Sequence, residues 1–60
     1  MIEAFRVLLV DDEDNFRRIV SYNLSEWGME VIQASNGPDA LDLFKRQRMD
    51  LVLTDVKLPP

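Results

Sequence analysis

The residues with the strongest claim to chemistry are acids: the run Asp11-Asp12-Glu13-Asp14, and Asp55 far along the same 60-residue chain. Carboxylates can hold a hard cation, act as nucleophiles or cap helices, and each use demands different company. The chain has no cysteine and no histidine, which removes disulfides, zinc sites and imidazole catalysis from consideration. Any site must therefore rest mainly on oxygen ligands. Taken singly, each acidic feature has a plain explanation. Asp11 to Asp14 could simply favour a helix N-terminus, and Asp55 could be an ordinary residue at a strand end. Glu13 and Asp14 fit that plain role better than a ligand role.

The elements around these acids decide whether they meet. Phe5-Arg6-Val7-Leu8-Leu9-Val10 is apolar apart from Arg6 and shows no alternation, as a strand buried on both faces does. Phe16, Ile19, Val20, Leu24 and Trp27 then recur at spacings of three and four, so a helix is expected from about Asn15 to Trp27. Gly28 stands where a left-handed terminating residue belongs. Met29 to Ala34 reads as a half-exposed strand rich in β-branched residues. Ser35-Asn36-Gly37-Pro38 is a turn, with Pro38 at the first position of a second helix carrying Ala40, Leu41 and Phe44 as its apolar stripe. Asp39 and Asp42 near its start, and Lys45, Arg46 and Arg48 near its end, suit the macrodipole. Leu51-Val52-Leu53-Thr54 is a second buried-type strand, ending at Asp55.

Strand, helix, strand, helix, strand implies an α/β fold with a parallel sheet and right-handed crossovers. The first strand suits the centre and the second an edge, so the expected order is 2-1-3 with one helix on each face. That is half of a doubly wound fold. In this order the first and third strands are neighbours about 4.8 Å apart. Asp11 and Asp12 leave the carboxyl end of one, and Asp55 leaves the carboxyl end of the other. The winding reverses between them, and such switch points are where open α/β sheets bind ligands. Three carboxylates gathered there would repel one another, and a divalent cation, Mg²⁺ or Mn²⁺, relieves the repulsion.

Composition narrows the alternatives. Seven Lys and Arg against 11 Asp and Glu give a net charge of −4, which argues against direct nucleic-acid binding. Nothing approaches the roughly 20 apolar residues of a membrane span, and no secretory leader is visible, so a soluble, cytoplasmic chain is expected. An EF-hand loop beginning at Asp12 fails, because Phe16 and Arg17 stand where an oxygen ligand and a glycine are required. Gly28 and Gly37 are the only glycines, too few for a phosphate-cradling loop. Without a staple, a chain this short sits at the edge of independent stability. It is therefore marginal alone, part of something larger, or an oligomer.

Taken together, Val7-Leu8-Leu9-Val10-Asp11-Asp12-Glu13, Gly28, Ala34-Ser35-Asn36-Gly37 and Asp50-Leu51-Val52-Leu53-Thr54-Asp55-Val56-Lys57-Leu58-Pro59 resemble the receiver domain of bacterial two-component response regulators. The resemblance implies a flavodoxin-like (CheY-like) parallel sheet, of which this chain would hold the βαβαβ half in strand order 2-1-3. It implies that Asp55 is the phosphoacceptor, taking a phosphoryl group from the phosphohistidine of a sensor histidine kinase. It implies that Asp12 binds Mg²⁺ (or Mn²⁺) directly, Asp11 through a water, and that Asp55 and the backbone carbonyl of Lys57 complete the protein ligands. The resemblance also implies that the Lys57 side chain stands at a position which, in that family, influences how long the acyl phosphate survives. The module so described is a phosphoacceptor in signalling rather than an enzyme.

Residues 1–60 read on this basis as a single truncated receiver domain, with strands four and five and their helices absent. The family's hydroxyl residue after strand four, and its strand-five lysine and switching aromatic, would be absent with them. Phosphorylation of Asp55 in these sixty residues alone is then expected to be poor. A competing expectation is a structural half-domain that self-associates through the strand-three edge and has no activity of its own. An edge of this kind can template antiparallel pairing with a second copy. A Mg²⁺-dependent phosphatase of the haloacid-dehalogenase type fits less well, since it needs an Asp where Lys57 stands.

Overall fold

A computed structural model describes residues 4–54 of the chain. The elements are β1 (Arg6–Val10), α1 (Asp14–Glu26), β2 (Glu30–Ala34), α2 (Gly37–Arg46) and β3 (Leu51–Thr54). They form the expected parallel sheet in order β2-β1-β3. The register pairs Val10 with Ala34 on one side and with Thr54 on the other, so all three strands end level.

β1 is central, and Val7, Leu8, Leu9 and Val10 are all buried, as its unbroken apolar run requires. Strand alternation sends these residues to opposite faces. Leu8 and Val10 pack with Ala34 and with Ala40 of α2, and Ile32, Leu43 and Met49 fill in around them. On the other face α1 reaches β2 through Gln33, whose side chain accepts from Arg17 Nε at 3.1 Å and donates to Ser21 Oγ at 3.2 Å. The two helices thus lie on opposite faces, as right-handed crossovers in a 2-1-3 sheet demand.

The helix ends follow from local chemistry. At the end of α1, Gly28 has φ of 90°. Its N–H donates to the Ser25 carbonyl at 3.0 Å, and that of Met29 donates to the Leu24 carbonyl at 3.2 Å. This is the paired closure that a left-handed residue after a helix permits. At the start of α2, Asn36 Oδ1 accepts from the Asp39 N–H at 2.8 Å, and Asn36 Nδ2 donates to Asp39 Oδ2 at 3.0 Å. Helix α2 opens at Gly37, one residue earlier than expected, so Pro38 takes the second helical position rather than the first. Arg48 lies beyond the helix end and pairs with Asp50, leaving Lys45 and Arg46 in the last turn.

One expectation about burial is corrected. β3 is not buried on both faces: Leu51 and Val52 are each 42% exposed, because among the described residues the strand has a neighbour only at β1 and neither helix covers it closely. The α1 stripe is also only partly used. Leu24 is buried and Val20 half-buried, whereas Phe16, Ile19 and Trp27 are exposed. The helix lies over β1 and β2, and its apolar face is wider than the sheet surface beneath it.

Candidate functional site

The carboxyl end of β1 is built from the ladder outward. The N–H of Asp11 donates to the Ala34 carbonyl at 3.1 Å, carrying the β1–β2 pairing one residue past the strand. This anchors Asp11, which is only 4% exposed, while Asp12 just beyond it is exposed. Asp11 Oδ1 accepts from the Glu13 N–H at 2.9 Å, closing a two-residue turn that aims the chain into α1. Glu13 occupies the cap position of α1, yet no side chain caps that helix end. The simple capping role considered for Asp11 to Asp14 is therefore not how Asp11 is used.

Arg17 was not singled out by the sequence, and it organises this turn. Its Nη1 donates to the Asp11 carbonyl at 2.6 Å, its Nη2 to Asp14 Oδ1 at 2.6 Å, and its Nε to Gln33 Oε1. A cation in the first turns of a helix opposes the macrodipole, so its presence there calls for local anionic or carbonyl partners. That mismatch was the available signal. No buried side-chain nitrogen or oxygen among the described residues lacks a partner.

β3 ends level with this turn, since Thr54 pairs with Val10. Asp55 and Lys57, the expected phosphoacceptor and third protein ligand, lie outside the described residues. Among the described residues, no group of three or more acids gathers as a metal cluster. The two donors on view are oxygens, one carboxylate anchored and its neighbour exposed. This chemistry fits a hard cation that keeps several waters and takes one or two carboxylates, as Mg²⁺ does.

A second polar cluster lies at the opposite end of the sheet. The Arg6 N–H donates to Asp50 Oδ2 at 2.7 Å, and the Asp50 N–H donates back to the Arg6 carbonyl at 2.8 Å. Arg48 pairs with the other Asp50 oxygen, and Arg6 Nε donates to Glu30 Oε1 at 3.2 Å. The lone charge in the first strand thus joins both of its neighbours. The Arg6 N–H first, and Arg48 next, hold the Asp50 carboxyl below its ordinary value.

A parallel βαβαβ sheet in 2-1-3 order, with adjacent acids leaving its central strand, defines the class: the first elements of a flavodoxin-like doubly wound domain. Comparison with known proteins makes this specific. Residues 7–60 match the family model of the response regulator receiver domain, and the chain belongs to that family.

Similar proteins include the probable transcriptional regulator ycf27 of Porphyridium aerugineum, 43% identical over 54 residues that cover 90% of this chain. The regulatory protein AtoC of Escherichia coli is 46% identical over 54 residues, again 90% of the chain. The autoinducer 1 sensor kinase/phosphatase LuxN of Vibrio harveyi is 42% identical over 53 residues, or 88% of the chain. The chain spans 22%, 12% and 6% of these three proteins, respectively. No solved structure matches significantly.

Proposed function

We propose that this chain is the phosphoacceptor module of a phosphorelay, with Asp55 as the accepting carboxylate. The observation that carries the reading is the receiver-family match over residues 7–60, which includes both acidic strand ends. In the transfer, a carboxylate oxygen of Asp55 attacks the phosphorus of a phosphohistidine. The O–P bond forms as the N–P bond breaks, leaving an acyl phosphate on the chain and a free imidazole on the donor. Asp11, Asp12, Asp55 and the Lys57 carbonyl would hold Mg²⁺ or Mn²⁺. The bound cation would offset charge on the transferring oxygens. The anchored Asp11 and exposed Asp12 give that group a fixed wall and an accessible ligand. The donor would be a sensor histidine kinase, and the name of one relative, a sensor kinase/phosphatase, fits that partnership.

The chain is on this reading a signalling acceptor rather than a turnover enzyme, and it works in the cytoplasm. Among the described residues, no helix is long and apolar enough to cross a membrane. Used alone, these sixty residues supply the acids of the site without the lysine and hydroxyl residue that the receiver resemblance places on later strands. Treatment with a small phosphodonor and Mg²⁺ should therefore label Asp55 in only a small fraction of molecules, and Asp55→Asn in none. Mass spectrometry of the intact chain reads both. Stoichiometric labelling of the wild type would overturn the impairment, and equal labelling of Asp55→Asn would overturn the assignment of the acceptor.

A second reading, self-association through β3, is favoured by the exposure of Leu51 and Val52 on an edge strand. Two copies pairing β3 antiparallel would make a continuous six-stranded sheet with no activity of its own. Light scattering that finds a folded monomer at micromolar concentration would count decisively against it.

A further inference from the structure

Arg17 bonds neither of the carboxylates assigned to the cation; it grips the turn that carries them. Its guanidinium bonds the Asp11 carbonyl at the exit of β1, the Asp14 carboxylate at the start of α1 and the Gln33 amide on β2. The Arg17 side chain is only 15% exposed, and Gln33 passes the connection on to Ser21, one turn further along α1. Asp12 and Glu13 lie inside the loop that these bonds close.

From this geometry we infer that Arg17 is the positioning residue of the acidic pair, holding the Asp11–Asp14 turn in the shape that lets Asp11 and Asp12 face a divalent cation together. The inference rests on the cation reading given above. Its chemistry is a three-way fork: the planar guanidinium presents donors in fixed directions, which a lysine ammonium cannot reproduce. A positive charge beside a cation site also repels the cation. Charge alone and positioning therefore predict opposite signs. If Arg17 acted only through charge, neutralising it would tighten Mg²⁺ binding, and lysine would behave as arginine. If it acts by positioning, both Arg17→Gln and Arg17→Lys loosen the turn and weaken binding.

The test uses the full chain with Mg²⁺ as the probe, titrated by NMR, alongside amide exchange measured without metal. Arg17→Lys and Arg17→Gln should each weaken Mg²⁺ binding about tenfold, the scale on which outer-shell partners of ligands act. In both, the Glu13 N–H held by Asp11 should exchange faster, while the Met29 N–H at the far end of α1 stays protected. Gln33→Leu, which removes one arm of the fork and leaves Arg17 in place, should shift both readings in the same direction by less. It also serves if an Arg17 variant fails to fold.

Wild-type affinity in Arg17→Lys, tighter binding in Arg17→Gln, or lost global stability with unchanged affinity would each overturn the inference. Asp12→Ala separates the two layers of the argument. If the wild type binds no Mg²⁺, or Asp12→Ala binds as tightly, the cation reading fails. What then remains, that Arg17 holds the turn, stands or falls on the Glu13 exchange rate, and an unchanged rate in Arg17→Lys and Gln33→Leu overturns that too.

Discussion

Asp50 stands immediately before β3 and ties it to β1 with main chain and side chain at once. Its carboxyl is held below the ordinary value of 3.8, first by the Arg6 N–H and then by Arg48. A carboxylate that is more acidic folded than unfolded adds stability above its unfolded pKa. That stability is lost as the pH falls through the lower folded value. Asp50→Asn should therefore lower the urea midpoint at neutral pH, and the gap to wild type should close as the pH drops below 3.8. A gap that stays constant into acid would assign the effect to shape rather than charge. At this scale the sequence was only partly readable. The spacing identified Asp11 and Asp12, but not that one is anchored and the other exposed. The Arg17–Gln33 and Arg6–Asp50 contacts depend on which elements are neighbours, so a local pattern could not reveal them. The visible hints were an arginine at the wrong end of a helix and one charge in an apolar strand.

Helix α1 illustrates how much of an element is settled by its own residues. Gly28 was expected to terminate it in a left-handed conformation, and its φ of 90° does so. Nothing lies within 4 Å of where a Cβ would sit, so any cost of adding one is conformational and not steric. Gly28→Ala should destabilise the chain by about 1–2 kcal/mol, measured as a shift in the urea midpoint at constant slope. A neutral result would mean that the backbone relaxes out of the left-handed region without disturbing the Leu24 and Ser25 carbonyls. Element types and strand order were legible because the apolar periods differ and crossovers have one hand. Exposure was not. An apolar run reads the same whether both faces are covered or one flank is open, which is why β3 looked buried and is half-open. The stripe of α1 likewise says that a helix forms and not how much of it is covered, since periodicity counts apolar residues and not the surface available to receive them.

For the molecule as a whole, charge is sorted along the strand axis. Asp11 to Asp14 lie past the carboxyl end of the sheet, whereas Arg6, Glu30, Arg48 and Asp50 balance one another at the amino end. The acids in that one turn are as many as the net −4 of the whole chain. With Asp11 to Asp14 and Asp55 set aside, six acids face seven bases. Both neighbours of β1 come later in the chain, each after a helical crossover, and β3 comes last. Parallel pairings of this kind join residues far apart in sequence and form slowly, because a long loop must close before any contact rewards it. Pairing of Val10 with Thr54 spans more of the chain than any other pairing that brings strand ends level with the acidic turn. The crossover through α2 that joins β2 to β3 is thus what brings Thr54 level with Val10, beside the turn that carries the acids.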